Sequence, residues 1–436
     1  MSDVAGHRSD VLVWRATGPL NRTQILREAA VIAAQFPAGT HLVNLCEQRE
    51  SFLLVFAAAV LSGRTQLMPA TRGEAALAEL SADYPDGFCV TDTDVQRWRA
   101  APHAPGPERD LVPADAERLV LVGFTSGSTG KSKPHAKRWR ALDASARLNS
   151  AAIRAALEIS PDASASIIGT VPAHHMYGIE LTVLLPLFSG MSVHAERPLF
   201  PADVARVLSQ PARPRVLVST PLHLRALAES GLEFPELDLI VSATAPLDSA
   251  LTRIIEAQLR APLLEMFGST ETGVIATRQT AQLEEWRLYD GVTLEPTAES
   301  TLVSAQWFER TQQLQDVLEL RGLTGFVLRG RNSDLVEVAG KRASLSDITR
   351  RLCAVEGVED AVAFQPGGAA SGVANRVAAV VVSRGVSARD IANQLAAELD
   401  AVFIPRPLVL VDRIPRDPVG KVSRAQLLEL TRRHAS

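Results

Sequence analysis

The spacing of apolar positions changes period several times along the chain. "TQILREAAVIAAQF" (23–36) has helical spacing, and "HLVNLC" (41–46) is a short strand-like run. "ESFLLVFAAAVLSG" (50–63) is helical again and apolar on all sides, which predicts a buried helix. "RTQLMPA" (64–70) returns to an extended stretch. Farther on, "SASIIGTVP", "MSVHA", "RVLVST", "LDLIVSA" and "PLLEMFG" predict short strands. Helical segments such as "PADVARVLSQ" and "PLHLRALAES" separate them. Strands alternating with helices imply a parallel sheet covered by helices.

Beyond about residue 280 the runs become shorter and less regular. "GFVLRGRNSDLVEV" (325–338) reads as a hinge region, two paired strand-like pieces around a polar "GRNSD". The last hundred residues form a unit of their own. It has a helix ("LSDITRRLCAV"), strands ("DAVAFQP", "RVAAVVVS"), a second helix ("ARDIANQLAAEL") and a final strand ("PLVLVDRI"). The expected fold is α/β. A large N-terminal domain (1–330) of parallel-rich sheets covered by helices precedes a small C-terminal α+β domain (331–436). "APHAPGPERD" (101–110) reads as a surface connection, and no internal repeat is evident.

Composition narrows the class. With 436 residues, 46% hydrophobic and 22% charged, the chain can bury a large core without disulfides. A net charge of −4 with no cluster of Lys and Arg argues against a nucleic-acid partner. Cys46, Cys89 and Cys353 are too scattered for a disulfide framework, so they are expected as buried core thiols in a reducing cytoplasm. The N-terminus lacks a signal-peptide apolar core, and the longest apolar run falls short of the roughly 20 residues a membrane span needs.

The chemistry is concentrated in a few segments. "GFTSGSTGKSKP" (123–134) follows an apolar run and precedes a helix-like segment. Gly130-Lys131-Ser132 looks like the end of a phosphate-binding P-loop, but that motif needs Gly five residues before Gly130, and Thr125 stands there. The spacing therefore disfavours a P-loop NTPase. The backbone N–H groups of such a loop, with the hydroxyls of Thr125, Ser126, Ser128 and Thr129, still suit an anion. Gly127 and Gly130 permit the close approach, and Lys131 and Lys133 add charge; the alternative is a plain surface loop. In "MFGSTETG" (266–273), Glu271 beside Thr270 can hold Mg²⁺ and a phosphate oxygen, or the segment is a helix N-cap at Ser269 or Thr270. "PRDPVGKVSR" (415–424) presents Lys421 on a turn bounded by Pro and Gly, where an ordinary surface lysine would look the same.

Taken in order, "TSGSTGKSK", "FGSTE", "GRNSDLVEVAGKR" and "PRDPVGKVSR" resemble the adenylate-forming superfamily. That superfamily includes acyl-CoA synthetases, peptide-synthetase adenylation domains and luciferases. "VPAHHMYGIELTVLLPL" and "VSATAPLD" are similar to its substrate-side segments. Within it, the chain looks most like the short aryl- or acyl-acid ligases of aryl-polyene pigment biosynthesis.

The resemblance implies two half-reactions. A carboxylate attacks the α-phosphate of ATP to give an acyl-adenylate and pyrophosphate. A thiol of CoA, or of the phosphopantetheine on an acyl carrier protein, then takes the acyl group and releases AMP. It implies that Thr125 to Gly130 with Lys133 cradle the phosphates, although Ser132 and Pro134 depart from the family's usual Pro and Gly around that lysine. Glu271 would bind Mg²⁺ and Thr270 a phosphate. Phe267 takes the place of the aromatic that stacks on adenine, with Gly268 and Ser269 in the same segment. Ala243 and Thr244 line the adenine and acyl pocket. Asp316 holds the ribose, though the usual "TGD" context is missing, and Arg331 adds a ribose or phosphate contact. Lys421 stabilises the attack on the α-phosphate. Asp334 is the hinge about which the small domain turns, and Gly340 lets the pantetheine arm approach. His175 and Tyr177 border the acyl pocket and pantetheine channel, while His174 is either packed in the core or part of that pocket. The competing readings are a P-loop-type NTPase and an adenylate-fold binding protein without activity.

Overall fold

The computed structural model describes residues 11–101, 111, 115–126, 132–245, 247–297, 300–331, 335–338, 341–366, 376–396, 399–416 and 422–434. Two units divide the chain. The first comprises Met1–Glu284, Leu288–Gly291 and Gln306–Glu309. Among its described residues the apolar runs become strands β1 (Val11–Trp14), β2 (Leu20–Asn21), β3 (His41–Asn44), β4 (Thr65–Met68), β5 (Phe88–Val90), β6 (Leu119–Ser126) and β7 (Ser132–Arg138). There follow β8 (Ser166–Gly169), β9 (Ser192–His194), β10 (Arg215–Ser219), β11 (Leu239–Ser242), β12 (Leu263–Ser269) and β13 (Gly273–Arg278).

They make two sheets. In one, β1-β9-β8-β10-β11-β12 are all parallel, with β2 antiparallel on β1 and β13 antiparallel on β12. In the other, β5-β3-β4-β6 are parallel and β7 returns antiparallel on β6. The central strands are buried on both faces, which is why they read as continuous apolar runs. Helices Pro201–Leu208, Pro221–Glu229 and Ser249–Leu259 lay Val204, Leu224 and Ile255 on Leu217, Ile240 and Leu263. Thr220 and Asp248 start two of these helices by accepting backbone N–H bonds from His223 and Leu251.

The all-apolar segment forms the helix Arg49–Leu61, buried along nearly its whole length as expected. Its first residue is the exception to the apolar pattern. Arg49 is 2% exposed and donates to four carbonyls, those of Gly169, Val171, His194 and Glu196, at 2.7–3.1 Å. It ties together the C-terminal ends of β8 and β9. Burial, with Arg197 nearby, brings its guanidinium down to about 9.

The second unit comprises Glu285–Arg287, Val292–Ala305 and Arg310–Ser436. It holds most of β14 (Trp286–Leu288), and β15 (Val292–Pro296), β16 (Thr301–Ala305), β17 (Gln312–Leu314), β18 (Asp316–Arg321), β19 (Gly325–Arg331), β20 (Leu335–Val338), β21 (Lys341–Ser344), β22 (Val358–Phe364), β23 (Ala378–Ser383) and β24 (Leu408–Leu410). The expected boundary at 330/331 falls inside this unit, because the local antiparallel pairings of β15–β19 group with the later residues. The hinge segment also differs from expectation. β19 pairs with β18 and β20 pairs with β21, so the two pieces flanking "GRNSD" each take another partner. Ile348 and Leu352 on the helix Leu345–Ala354 pack with Val336, Ala379, Ile391 and Phe403 to form this unit's core.

The thiol expectation holds for Cys46 only. Cys89 and Cys353 are exposed. Cys89 lies on β5, the edge of its sheet, and Cys353 is on a helix whose buried stripe runs through Ile348 and Leu352. No helix among the described residues is long and apolar enough to cross a membrane.

Candidate functional site

The glycine-serine segment joins two antiparallel strands. Thr125 lies opposite Lys133 and Ser126 opposite Ser132, flanking residues 127–131. Gly127, Ser128, Thr129 and Gly130 lie outside the described residues, and of Ser126 only the backbone is described. The stretch expected to be helix-like begins as strand β7, and the helix Trp139–Ala156 starts only afterwards. A P-loop leads a strand directly into a helix. A loop closing a β6–β7 hairpin excludes that reading on geometry as well as spacing.

On β7 the side chains alternate. His135 and Lys137 are buried while Pro134 and Ala136 are exposed. Lys133 shares their strand parity but lies exposed beside the loop. This strand was missed in the sequence. The alternation in "KPHAK" is its signal, hidden by the polar character of the inward residues.

The "GSTETG" segment is also a hairpin turn, between β12 and β13, so the helix N-cap reading falls away. Ser269 N–H donates to Thr272 Oγ1, and the Thr272 N–H returns a bond to Ser269 Oγ. These bonds close the turn and leave Thr270 and Glu271 partly exposed at its tip. A Cβ on Gly123 of β6 would come within 3.0 Å of the Thr270 methyl, so β6 and this turn are in close contact.

His135 and Lys137 bridge the two hairpins. His135 Nε2 lies 2.9 Å from Thr125 Oγ1 and 3.5 Å from Glu271 Oε1. Lys137 Nζ donates to the Glu271 carbonyl at 2.5 Å. Burial opposes ionisation of the Glu271 carboxyl, but the Ser269 hydroxyl, its own N–H, His135 and Lys137 together hold it below the usual range. It is therefore an anion in neutral solution. Burial lowers Lys137 to about 8, against the pull of Glu180, Glu271 and Glu309. Among the described residues no group of three or more metal-ligating side chains occurs. A single partly exposed carboxylate fits Mg²⁺, which keeps waters and takes most of its ligands from phosphate oxygens.

A second group gathers at the C-terminal ends of adjacent parallel strands, where open α/β sheets bind ligands. β8 leads to His174 and His175, β9 to Arg197, β10 to His223, and β11 to Ala243 and Thr244. Thr170 Oγ1 bonds Ser219 Oγ at 2.8 Å and His223 Nδ1 at 3.0 Å. The His174 and His175 rings lie 4.6 Å apart. Thr244 has φ +81°, a strained backbone for a β-branched residue. Tyr177 is buried, and its hydroxyl donates to the Val241 carbonyl at 3.1 Å. Phe267, Gly268 and Ser269 end β12 beside this group.

Burial pushes the His174 imidazole down to about 3, helped by Arg72, His175 and Arg197. Burial, and then Arg197, lowers His223 as well. Such groups are neutral when folded but protonate near pH 6.5 when unfolded. Between those values the unfolded chain binds more protons, so stability is expected to fall as pH drops from about 6.5 toward 3. Urea midpoints measured over that range should decline for the native chain and decline less steeply for His174→Asn. Equal slopes for both would refute the assignment.

The remaining expected residues are in the second unit or are not described. Asp316 is buried and stands directly opposite Arg331 in the β18–β19 ladder. Asp334, Gly340 and Lys421 lie outside the described residues.

Comparison with known proteins shows a family and a fold. The family model for AMP-binding enzymes matches residues 43–303. A 4-coumarate–CoA ligase of Halorhodospira halophila is 30% identical over 344 residues, covering 77% of this chain and 83% of that protein. A 3,4-dihydroxybenzoate–[aryl-carrier protein] ligase of Bacillus anthracis is 22% identical, covering 72% of this chain and 74% of that one. Among solved structures, an O-succinylbenzoate coenzyme A synthetase from Bacillus subtilis in complex with AMP superposes with a TM-score of 0.79. At 16% identity, over 96% of this chain and 95% of that one, it shows a shared fold.

Proposed function

The chain belongs to the AMP-binding enzyme family, as an acid-activating, AMP-forming ligase, and on that premise we propose that it adenylates an aryl or short acyl acid and passes it to a phosphopantetheine thiol. The observation that carries this reading is the contact of the two hairpins. Thr125 and Lys133 flank the phosphate loop on one, Thr270 and Glu271 form the tip of the other, and His135 touches both.

A carboxylate is a poor acyl donor because its leaving group would be oxide. Adenylation replaces that with a good leaving group. Negative charge crowds around phosphorus in this step, so the protein's task is to position the reactants and stabilise charge. Thr125, Ser126 and Lys133 would hold the β- and γ-phosphates, with Thr270 on a phosphate oxygen. Glu271 would hold Mg²⁺, which when bound offsets phosphate charge. Phe267, Ala243 and Thr244 would line the adenine and acyl side, and Asp316 and Arg331 would take the ribose. His175 would border the acid. Lys421 would act in adenylation. Rotation about Asp334 would then withdraw it and bring the Gly340 loop to the pantetheine.

Two of the relatives carry aryl acids in their names, one with CoA and one with a carrier protein as acceptor. That supports an aryl acid and leaves both thiols in play; the slightly basic segment 332–436, with 14 Lys and Arg against 12 Asp and Glu, suits an acidic carrier protein and the phosphates of CoA equally. Reducing cytoplasm is the setting that fits these cofactors.

The test is acid-dependent ATP–pyrophosphate exchange over benzoates, hydroxybenzoates, cinnamates and short fatty acids, followed by thioester formation with CoA or a holo carrier protein. Exchange is expected with one acid class, and Glu271→Gln should lower it by about 100-fold. ADP as product, or hydrolysis independent of any acid, would overturn the proposal.

A further inference from the structure

Lys137 and Glu180 are two buried charges for which the reaction scheme above has no use. Glu180 lies in a single π-helical turn, Glu180–Leu184, a distortion often found at functional sites. It accepts from Ser145 Oγ at 2.5 Å and from the Val274 N–H at 3.2 Å. Ser145 is joined through Asn149 to the Tyr289 hydroxyl, at 3.2 and 2.8 Å. Burial raises the Glu180 carboxyl, while Ser145, the Val274 N–H and Lys137 pull it back.

These bonds meet the same turn from two directions. Lys137 holds the carbonyl of Glu271, and Glu180 holds the N–H of Val274, three residues later. Between them, a Cβ on Gly273 would lie 2.7 Å from Glu180 Oε1, and the φ of +71° favours glycine, so a side chain there would be strained and would push the carboxylate aside. The main chain from 271 to 274 is therefore clamped. Lys137 is also two residues from His135, so the same strand that reaches the phosphate loop fixes the acidic turn.

Two buried charges are a costly way to fill a core, since an apolar pair of equal volume is often neutral or stabilising. An apolar pair, however, offers no donor to a carbonyl and no acceptor to an N–H. We propose that Lys137 and Glu180 are a positioning pair that fixes the Glu271 carboxylate relative to the phosphate loop for Mg²⁺–ATP. The proposal rests on the adenylating role assigned above. It places neither residue on the substrate.

Three variants test it: Lys137→Met, Glu180→Met, and the two combined. The readouts are thermal stability and the Mg²⁺ concentration that half-saturates binding of a fluorescent ATP analogue, an equilibrium measurement. Each single variant takes an opposite charge away from the buried charge that remains and should be destabilised; the double variant should regain part of that stability. The Mg²⁺ requirement should nevertheless rise about tenfold in all three, the size expected when support behind a metal ligand is removed. A double variant whose Mg²⁺ requirement returns to within about twofold of wild type would reduce the pair to a packing role and overturn the proposal. If the double variant does not fold, Ser145→Ala decides, because it loosens Glu180 without touching the turn. A rise of about threefold supports the proposal and an unchanged requirement refutes it. Absence of acid-dependent exchange in the wild-type chain would instead defeat the adenylating role, so the two failures are distinguishable.

Discussion

Lys421→Ala should lower acid-dependent ATP–pyrophosphate exchange by about 100- to 1,000-fold, the usual cost of losing one donor aimed at developing charge. The residue lies in "PRDPVGKVSR", outside the described residues, and follows Pro418 and Gly420 in the sequence. A lysine is a compact point charge with rotatable donors, suited to oxygens that move during attack. Its effect should be confined to the first half-reaction. Thioester formation from a chemically prepared acyl-adenylate should proceed within about twofold of wild type, since no charge then builds on an attacked phosphate. Equal losses in both steps would mean that the substitution had damaged the fold or the acceptor site. No loss in exchange would remove Lys421 from the mechanism.

Arg49→Met should destabilise the first unit by about 3–5 kcal/mol, the range seen when a buried charge loses its match. Here the loss is inverted, because the charge goes and four carbonyls remain. Each of those in Gly169, Val171, His194 and Glu196 would be left without this donor, at about 1–3 kcal/mol for any that stays dry. For a unit of this size the shift in melting temperature would be about 10 °C. The loosened segments lead into His174, His175 and Arg197, so the KM for the acid should rise more than that for ATP. Calorimetry and steady-state kinetics check both effects. A variant that melts within about 2 °C of wild type would show that water satisfies those carbonyls.

Some of this protein could be read directly from residue order. Short apolar runs between amphipathic helices announced parallel strands, because strands buried on both faces carry few polar residues. The run "FLLVFAAAVLSG" (52–63) announced a buried helix, found as Arg49–Leu61. The segments with Thr125, Glu271 and Lys421, in that order, carried the resemblance to the adenylate-forming superfamily, and the match to the AMP-binding enzyme family agrees with it. The same local reading mistook β7 for the start of a helix and Cys89 and Cys353 for core thiols. It also gave the "GRNSD" flanks the wrong partners, since pairing depends on strands distant in sequence.

Only the tertiary structure decided what lies behind the site. Arg49 and the Glu196 carbonyl are far apart in the chain, as are Lys137 and Glu271 and as are Glu180 and Val274. Each charge taken alone reads as a solvated surface residue. Its burial and its partner are set by which hairpins and helices come together in space. Local pattern encodes the shape of an element and the donors on its turns, whereas a buried charge is tolerable only where distant backbone satisfies it.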